Sequence, residues 1–104
     1  MLKVKVMING RETFLAMCDE ELLGKRFAAG KRVLDLDKYR GFYEGESFNE
    51  REESAQKQIE TYLKSATSVN VVGKRSMALL KKLGYDTETA AEIQNVPHLQ
   101  IYSL

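Results

Sequence analysis

The residues with the most chemical potential lie in one short run, Asn70-Val71-Val72-Gly73-Lys74-Arg75-Ser76. The spacing that follows predicts a helix beginning at Lys74, and a helix start presents unpaired backbone N–H groups with partial positive charge. Gly73 lets a ligand approach, while Lys74, Arg75 and Ser76 add donors, so the run suits a phosphate. It is not a P-loop. Ser68 stands where the first glycine belongs, and Arg75 follows the lysine where a metal-binding Ser or Thr is needed. Val72 to Arg75, followed by Met77, Leu80, Leu83 and Gly84, also has the shape of the second half of a DNA-binding helix-hairpin-helix, with Val71 in place of its first glycine. The plain alternative is an ordinary glycine-started helix.

Two further residues deserve a chemical reading. Cys18 and His98 are the one cysteine and the one histidine, and both fall at expected strand ends. A nucleophilic thiolate needs a positive neighbour, whereas Asp19, Glu20 and Glu21 oppose it, so Cys18 is expected to be buried and inert. His98 follows Pro97 and either orients a turn or serves as an acid or base, with Asn70 or Lys25 positioning a substrate. Tyr39, Phe42 and Tyr43, beside Lys38 and Arg40, are suited to stacking on bases or to packing their own loop. One cysteine and one histidine cannot build a zinc site by themselves, and they exclude an internal disulfide. Neither a metal nor a cofactor is expected.

The elements that must position these groups follow from the hydrophobic period. Val4, Val6 and Ile8 alternate with Lys3, Lys5 and Met7, and Asn9-Gly10 predicts a type I′ turn into a return strand from Glu12 to Met17. Asp19 is placed to cap a short helical turn that ends at Gly24. Lys31 to Leu36 reads as a third strand, and 37–46 as a loop packed by its aromatics. Asn49, with Glu52 at the capping-box position, opens a helix to about Ala66 whose buried stripe is Ala55, Ile59, Leu63 and Ala66. Val69 to Val72 is a short strand or a turn. The helix from Lys74 to Leu83 stops at Gly84, Thr87 caps a brief helical segment through Ile93, and a strand runs from His98 to Ser103. The expected fold is one α+β domain spanning 1–104. An N-terminal β-hairpin and further strands form a small, mainly antiparallel or mixed sheet, packed by two main helices in the C-terminal half.

Composition bounds what such a domain does. The 104 residues carry a net charge of only +1, which argues against a general nucleic-acid coater and against an acidic tail. Locally the charge is uneven. Leu22 to Arg40 holds six basic residues against Asp35 and Asp37, and Tyr62 to Gly84 holds five with no acid. Glu44 to Glu60 holds six glutamates against Arg51 and Lys57. If the two basic stretches share a face, they form a patch suited to phosphates; otherwise they are solvated surface. Met1 to Val6 alternates where a signal peptide would run apolar, and no run approaches a membrane span, so a cytoplasmic protein without membrane contact is expected.

Three segments, Cys18 to Lys25, Ala66 to Gly73 and Val96-Pro97-His98, in this order and spacing, resemble a small archaeal family, domain of unknown function 424. The resemblance spans nearly the whole chain and implies an archaeal, cytoplasmic, stand-alone α+β protein. It implies no mechanism. Val69 and Asn95 stand where members tend to have a small residue and a glycine. The leading expectation is therefore a module that binds RNA or a ribonucleoprotein through Lys25, Asn70, Gly73, Lys74, Arg75, Ser76 and His98. The alternatives are a small enzyme using His98, and an interaction protein or homodimer using a strand edge.

Overall fold

The structure, a computed structural model, describes residues 1–102. Alternation at the N-terminus becomes the hairpin β1 (Leu2–Asn9) and β2 (Glu12–Asp19), paired from Leu2↔Asp19 to Asn9↔Glu12. Its two central turn residues are Gly10 and Arg11, one position later than expected. Only Gly10 has a positive φ (63°), the pattern of a type II′ rather than a type I′ turn.

β2 then pairs parallel with β6 (Ser68–Val72), the crossover between them including α2 (Glu53–Ser65). β8 (Val96–Tyr102) lies antiparallel beside β6, β7 (Ala91–Ile93) closes that side, and β5 (Glu46–Phe48) closes the other. The result is a mixed sheet of order β5-β1-β2-β6-β8-β7. A separate hairpin, β3 (Arg26–Ala29) with β4 (Arg32–Asp35), turns at Gly30, and α1 (Arg40–Tyr43) follows it.

Strand alternation gives the sheet two differently covered faces. On one, Leu2, Val4, Leu15, Met17, Val69, Val71 and Leu99 pack beneath α2 and α3 (Lys74–Lys82), which contribute Ala55, Ile59, Leu63, Met77, Leu79 and Leu80. On the other, Ala16, Cys18 and Val72 pack against Leu34, Leu36 and Tyr43 of the β4–α1 segment. The two basic stretches are thereby separated, one riding on the β3–β4 layer and the other largely on α3. Val6 and Ile8 continue the helix-side row but run past its cover, leaving Ile8 76% exposed. No helix among the described residues is long and apolar enough to cross a membrane.

Several local expectations are corrected. β3 carries little alternation and was not anticipated, nor was β5. Residues 87–90 form a turn, and 91–93 are strand β7 instead of helix, because Gln94 and Asn95 both take positive φ (50° and 66°) and reverse the chain onto β8. Asn49 does not cap α2: its Oδ1 accepts the Arg51 N–H, and Glu52 occupies the N-cap without a side-chain bond. β8 starts two residues early and includes Pro97. The Pro97 carbonyl accepts the Gly73 N–H where β6 ends, so its missing donor faces a place with no ladder to interrupt. The expected strand end at Ser103 lies outside the described residues.

Candidate functional site

The start of α3 is occupied from within. Parallel pairing of Cys18 with Val72 carries Asp19 alongside Gly73. The Asp19 carboxylate, 4% exposed, accepts the Arg75 N–H at 3.0 Å, the Ser76 N–H at 2.7 Å and the Ser76 hydroxyl at 2.7 Å. The backbone donors expected to hold a ligand anion thus hold this chain's own carboxylate. Asp19 does cap a helix, but one that begins 55 residues later; its own 3-10 turn (Glu20–Leu22) receives no side-chain bond from it. Gly73 serves the same contact. Its φ is 107°, and a Cβ there would lie 2.3–2.5 Å from the Asp19 carboxylate.

Arg75 is engaged as well. Its guanidinium donates to Glu50 at 2.7 Å, to Glu21 at 2.8 Å and to the Met1 carbonyl at 2.9 Å. Burial is the largest single influence on the Glu50 carboxyl and works to raise it, but the Arg75 hydrogen bond, a backbone hydrogen bond and the charges of Arg75 and the N-terminus together hold the group below its ordinary range. Lys74 is exposed beside this cluster, and Lys25 is exposed on the loop before β3, where it lines none of the cavities described below. Strand β6 precedes α3, so the helix-hairpin-helix shape is not formed. Cys18 is fully buried, and burial, with Asp19 and Glu21 adding to it, pushes its thiol up to about 12. It shares a row with Val72 and His98, so one whole strand separates the thiol from the imidazole.

A second polar cluster lies on the opposite face, where three elements meet. Asn70 is an inward-facing polar residue between Val69 and Val71 on β6. His98, on β8, pairs with Val72 and stands diagonal to Asn70, and its Nε2 lies 2.9 Å from Asn70 Oδ1. Tyr43 comes down from α1, and its hydroxyl donates to the same oxygen at 2.8 Å.

α1 is fixed for this purpose. Asp35 accepts the backbone N–H groups of Asp37 and Lys38, Arg40 pairs with Glu44, and Lys5 donates to the Gly41 carbonyl. Gly45 then passes so close to β1 that a Cβ would meet the Val4 carbonyl.

Donor and acceptor roles follow from this geometry. The buried Tyr43 hydroxyl has one acceptor, Asn70 Oδ1, so His98 meets that same oxygen with a protonated Nε2. Burial, and then the charge of Arg32, lower the His98 pKa, which keeps the ring neutral and makes Nδ1 its lone-pair nitrogen. Among the described residues no buried side-chain nitrogen or oxygen lacks a partner. Asn70 Nδ2 and His98 Nδ1, which make no hydrogen bond among the described residues, therefore reach solvent.

They reach it in a cleft of about 370 Å³, walled by Val33, Leu34, Tyr39, Phe42 and Tyr43 and floored by Asn70, His98 and Gln100. A cavity of about 190 Å³ adjoins it over Phe14, Ser68 and Tyr102. Of the residues expected to form a site, Asn70 and His98 come together here, while Gly73, Arg75 and Ser76 belong to the Asp19 cluster. Sequence marks Tyr43 only as a ring for stacking or loop packing and does not mark its hydroxyl as a partner of Asn70, and it does not mark Gln100 at all. The available signal was the period of two, which puts Asn70, Gln100 and Phe14 on one face once the strands are in register. Among the described residues no cluster of three His, Cys, Asp or Glu side chains could hold a metal.

A mixed six-stranded sheet with helices on one face and a β-hairpin with a short helix on the other defines the class: an α+β protein. Within that class the chain belongs to a particular family, described as "Protein of unknown function (DUF424)", which it matches over residues 7–104. A solved structure, the crystal structure of an uncharacterized conserved protein from Methanopyrus kandleri, is similar at 27% identity and a TM-score of 0.81. The match covers 99% of this chain and 91% of that one. No curated protein matches the chain.

Proposed function

We propose that the protein is a cytoplasmic binding module for single-stranded RNA, free or within a ribonucleoprotein, and that it takes bases at Asn70 and His98 rather than at the start of α3. One observation carries this reading. Two donors lock the Asn70 carboxamide, leaving its Nδ2–H and the His98 Nδ1 lone pair open to a cleft walled by aromatic rings. A base has flat faces for Tyr39 and Phe42 and edge groups for a fixed donor and acceptor. The layer that walls the cleft is the one bearing six basic residues against two acids, with Lys38 5.4 Å from the centre of the Tyr39 ring. Such cations suit a phosphate backbone.

Fluorescence anisotropy of a labelled single-stranded RNA at rising salt tests this. Wild type is expected to bind and to weaken with salt, Asn70→Ala and Tyr39→Ala to lose affinity, and Lys74→Glu to behave as wild type. Loss in Lys74→Glu alone would move the site back to α3, and no binding by wild type would end the RNA reading. A second reading, an enzyme in which His98 accepts a proton while Asn70 places the substrate, is favoured by the same neutral imidazole. Small metabolites that shift the His98 ring resonances where RNA does not would support it.

A further inference from the structure

We infer that the open face takes two consecutive nucleotides of single-stranded RNA with Phe42 between their bases, a proposal that deepens the RNA reading above and rests on it. The two adjoining cavities share three residues, Phe42, Asn70 and Gln100. Sheet register shows how they are laid out. One cavity spans the row of Phe14, Ser68 and Tyr102 and the Asn70–Gln100 row, the other spans the Asn70–Gln100 row and the row that contains His98, so their midpoints lie one row apart.

Successive rows on one face of a strand are two residues, or about 7 Å, apart. Stacked bases are separated by about 3.4 Å, so a ring inserted between two bases holds them about 7 Å apart. The repeat of the cavities therefore suits a base, the Phe42 ring and a second base. Each cavity brings aromatic surface of its own: Phe14 and Tyr102 in one, Tyr39 in the other. Phe42 is held for the task, edge-on to Tyr43 with centroids 5.0 Å apart, on a helix pinned to β1 at Gly45. A single metabolite would use one cavity only. A duplex, whose bases are already stacked and paired, could not straddle the ring.

Titration calorimetry with AMP, the dinucleoside monophosphate ApA and a short RNA duplex, alongside amide and ring NMR shifts, tests the proposal. ApA is expected to bind about tenfold or more tightly than AMP, because the second base joins a tethered site. The duplex is expected not to bind. Phe42→Ala should collapse the ApA-to-AMP ratio toward one, and Phe42→Leu, which keeps apolar bulk without a flat face, should do the same; Lys74→Glu should leave the ratio unchanged. ApA no tighter than AMP, or an advantage that survives both Phe42 variants, overturns the two-nucleotide proposal, while binding that still depends on Asn70 leaves the RNA reading standing. If neither AMP nor ApA perturbs Asn70 or His98, both are overturned.

Discussion

Asp19 and Asn70 are similar side chains on adjacent regions of one sheet, and they have opposite fates. Asp19 faces the helices and spends its carboxylate on three donors from the first turn of α3. Asn70 faces the β4–α1 layer and spends only its oxygen, on Tyr43 and His98, keeping an amide that reaches solvent. A helix start that reads as a binding site is closed by the protein itself, whereas a strand that reads as packing carries an unfinished set of hydrogen bonds. The difference lies in what the neighbouring element supplies. α3 brings a surplus of donors that a buried acceptor satisfies completely, while Tyr43 and His98 both converge on a single acceptor.

Breaking the closed cluster should cost the most. Gly73→Ala places a Cβ against the Asp19 carboxylate at a φ that side chains rarely adopt. A loss of about 3 kcal/mol or more is expected in urea denaturation. A loss below about 1 kcal/mol would show that Asp19 yields easily and the cluster is not closed. Asp19→Ala leaves the Ser76 hydroxyl and two N–H groups without their acceptor, at an expected cost of about 2–3 kcal/mol. Asp19→Asn retains an oxygen and should cost less; equal losses for the two variants would show that charge is what α3 requires.

The open cluster should behave differently. Asn70→Ala removes the shared acceptor of a buried tyrosine, with an expected loss of about 1–2 kcal/mol, and should abolish RNA binding. Gly73→Ala, measured where it remains folded, should leave binding nearly intact. A double dissociation of this kind separates a structural cluster from a binding one. RNA affinity lost in Gly73→Ala and kept in Asn70→Ala would reverse the assignment.

How much of this was legible in the letters can be traced residue by residue. The β1–β2 hairpin, the stripe of Ala55, Ile59 and Leu63, and the helix of Met77 and Leu80 follow from hydrophobic period, because each buries one side of a regular element. Strands β3, β5 and β7 have four residues or fewer and little alternation, so tertiary pairing decides them. The Asp19–Ser76 contact spans 57 positions and depends on the parallel pairing of β2 with β6, which no local pattern reveals. Asn70 and His98 are legible as candidate site residues from their side-chain types alone. Tyr43, which completes their cluster, lies 27 positions from Asn70 on a four-residue helix and could not be assigned to it from sequence.

The smallest expected effect sharpens the comparison most, because the chain has a single histidine. Burial, and then Arg32, hold the His98 pKa in the fold below its ordinary 6.5, so the folded state binds fewer protons than the unfolded chain as the pH drops. The corresponding stability is fully present above about 6.5 and is lost as the pH falls through the lower folded value. Asp35, Glu44 and Glu50, whose pKa values are also lowered, lose their contributions only in the carboxylate range, at more acid pH. Denaturation curves between pH 7.5 and 5 should therefore show a decline that His98→Gln removes and Asp19→Asn does not. Protonation also turns Nδ1 from an acceptor into a donor. RNA affinity is expected to fall over the same interval, even though the protein becomes more positive. Affinity that rises instead would mean that His98 meets a phosphate rather than a base edge, and would recast Asn70 as a residue that positions the imidazole.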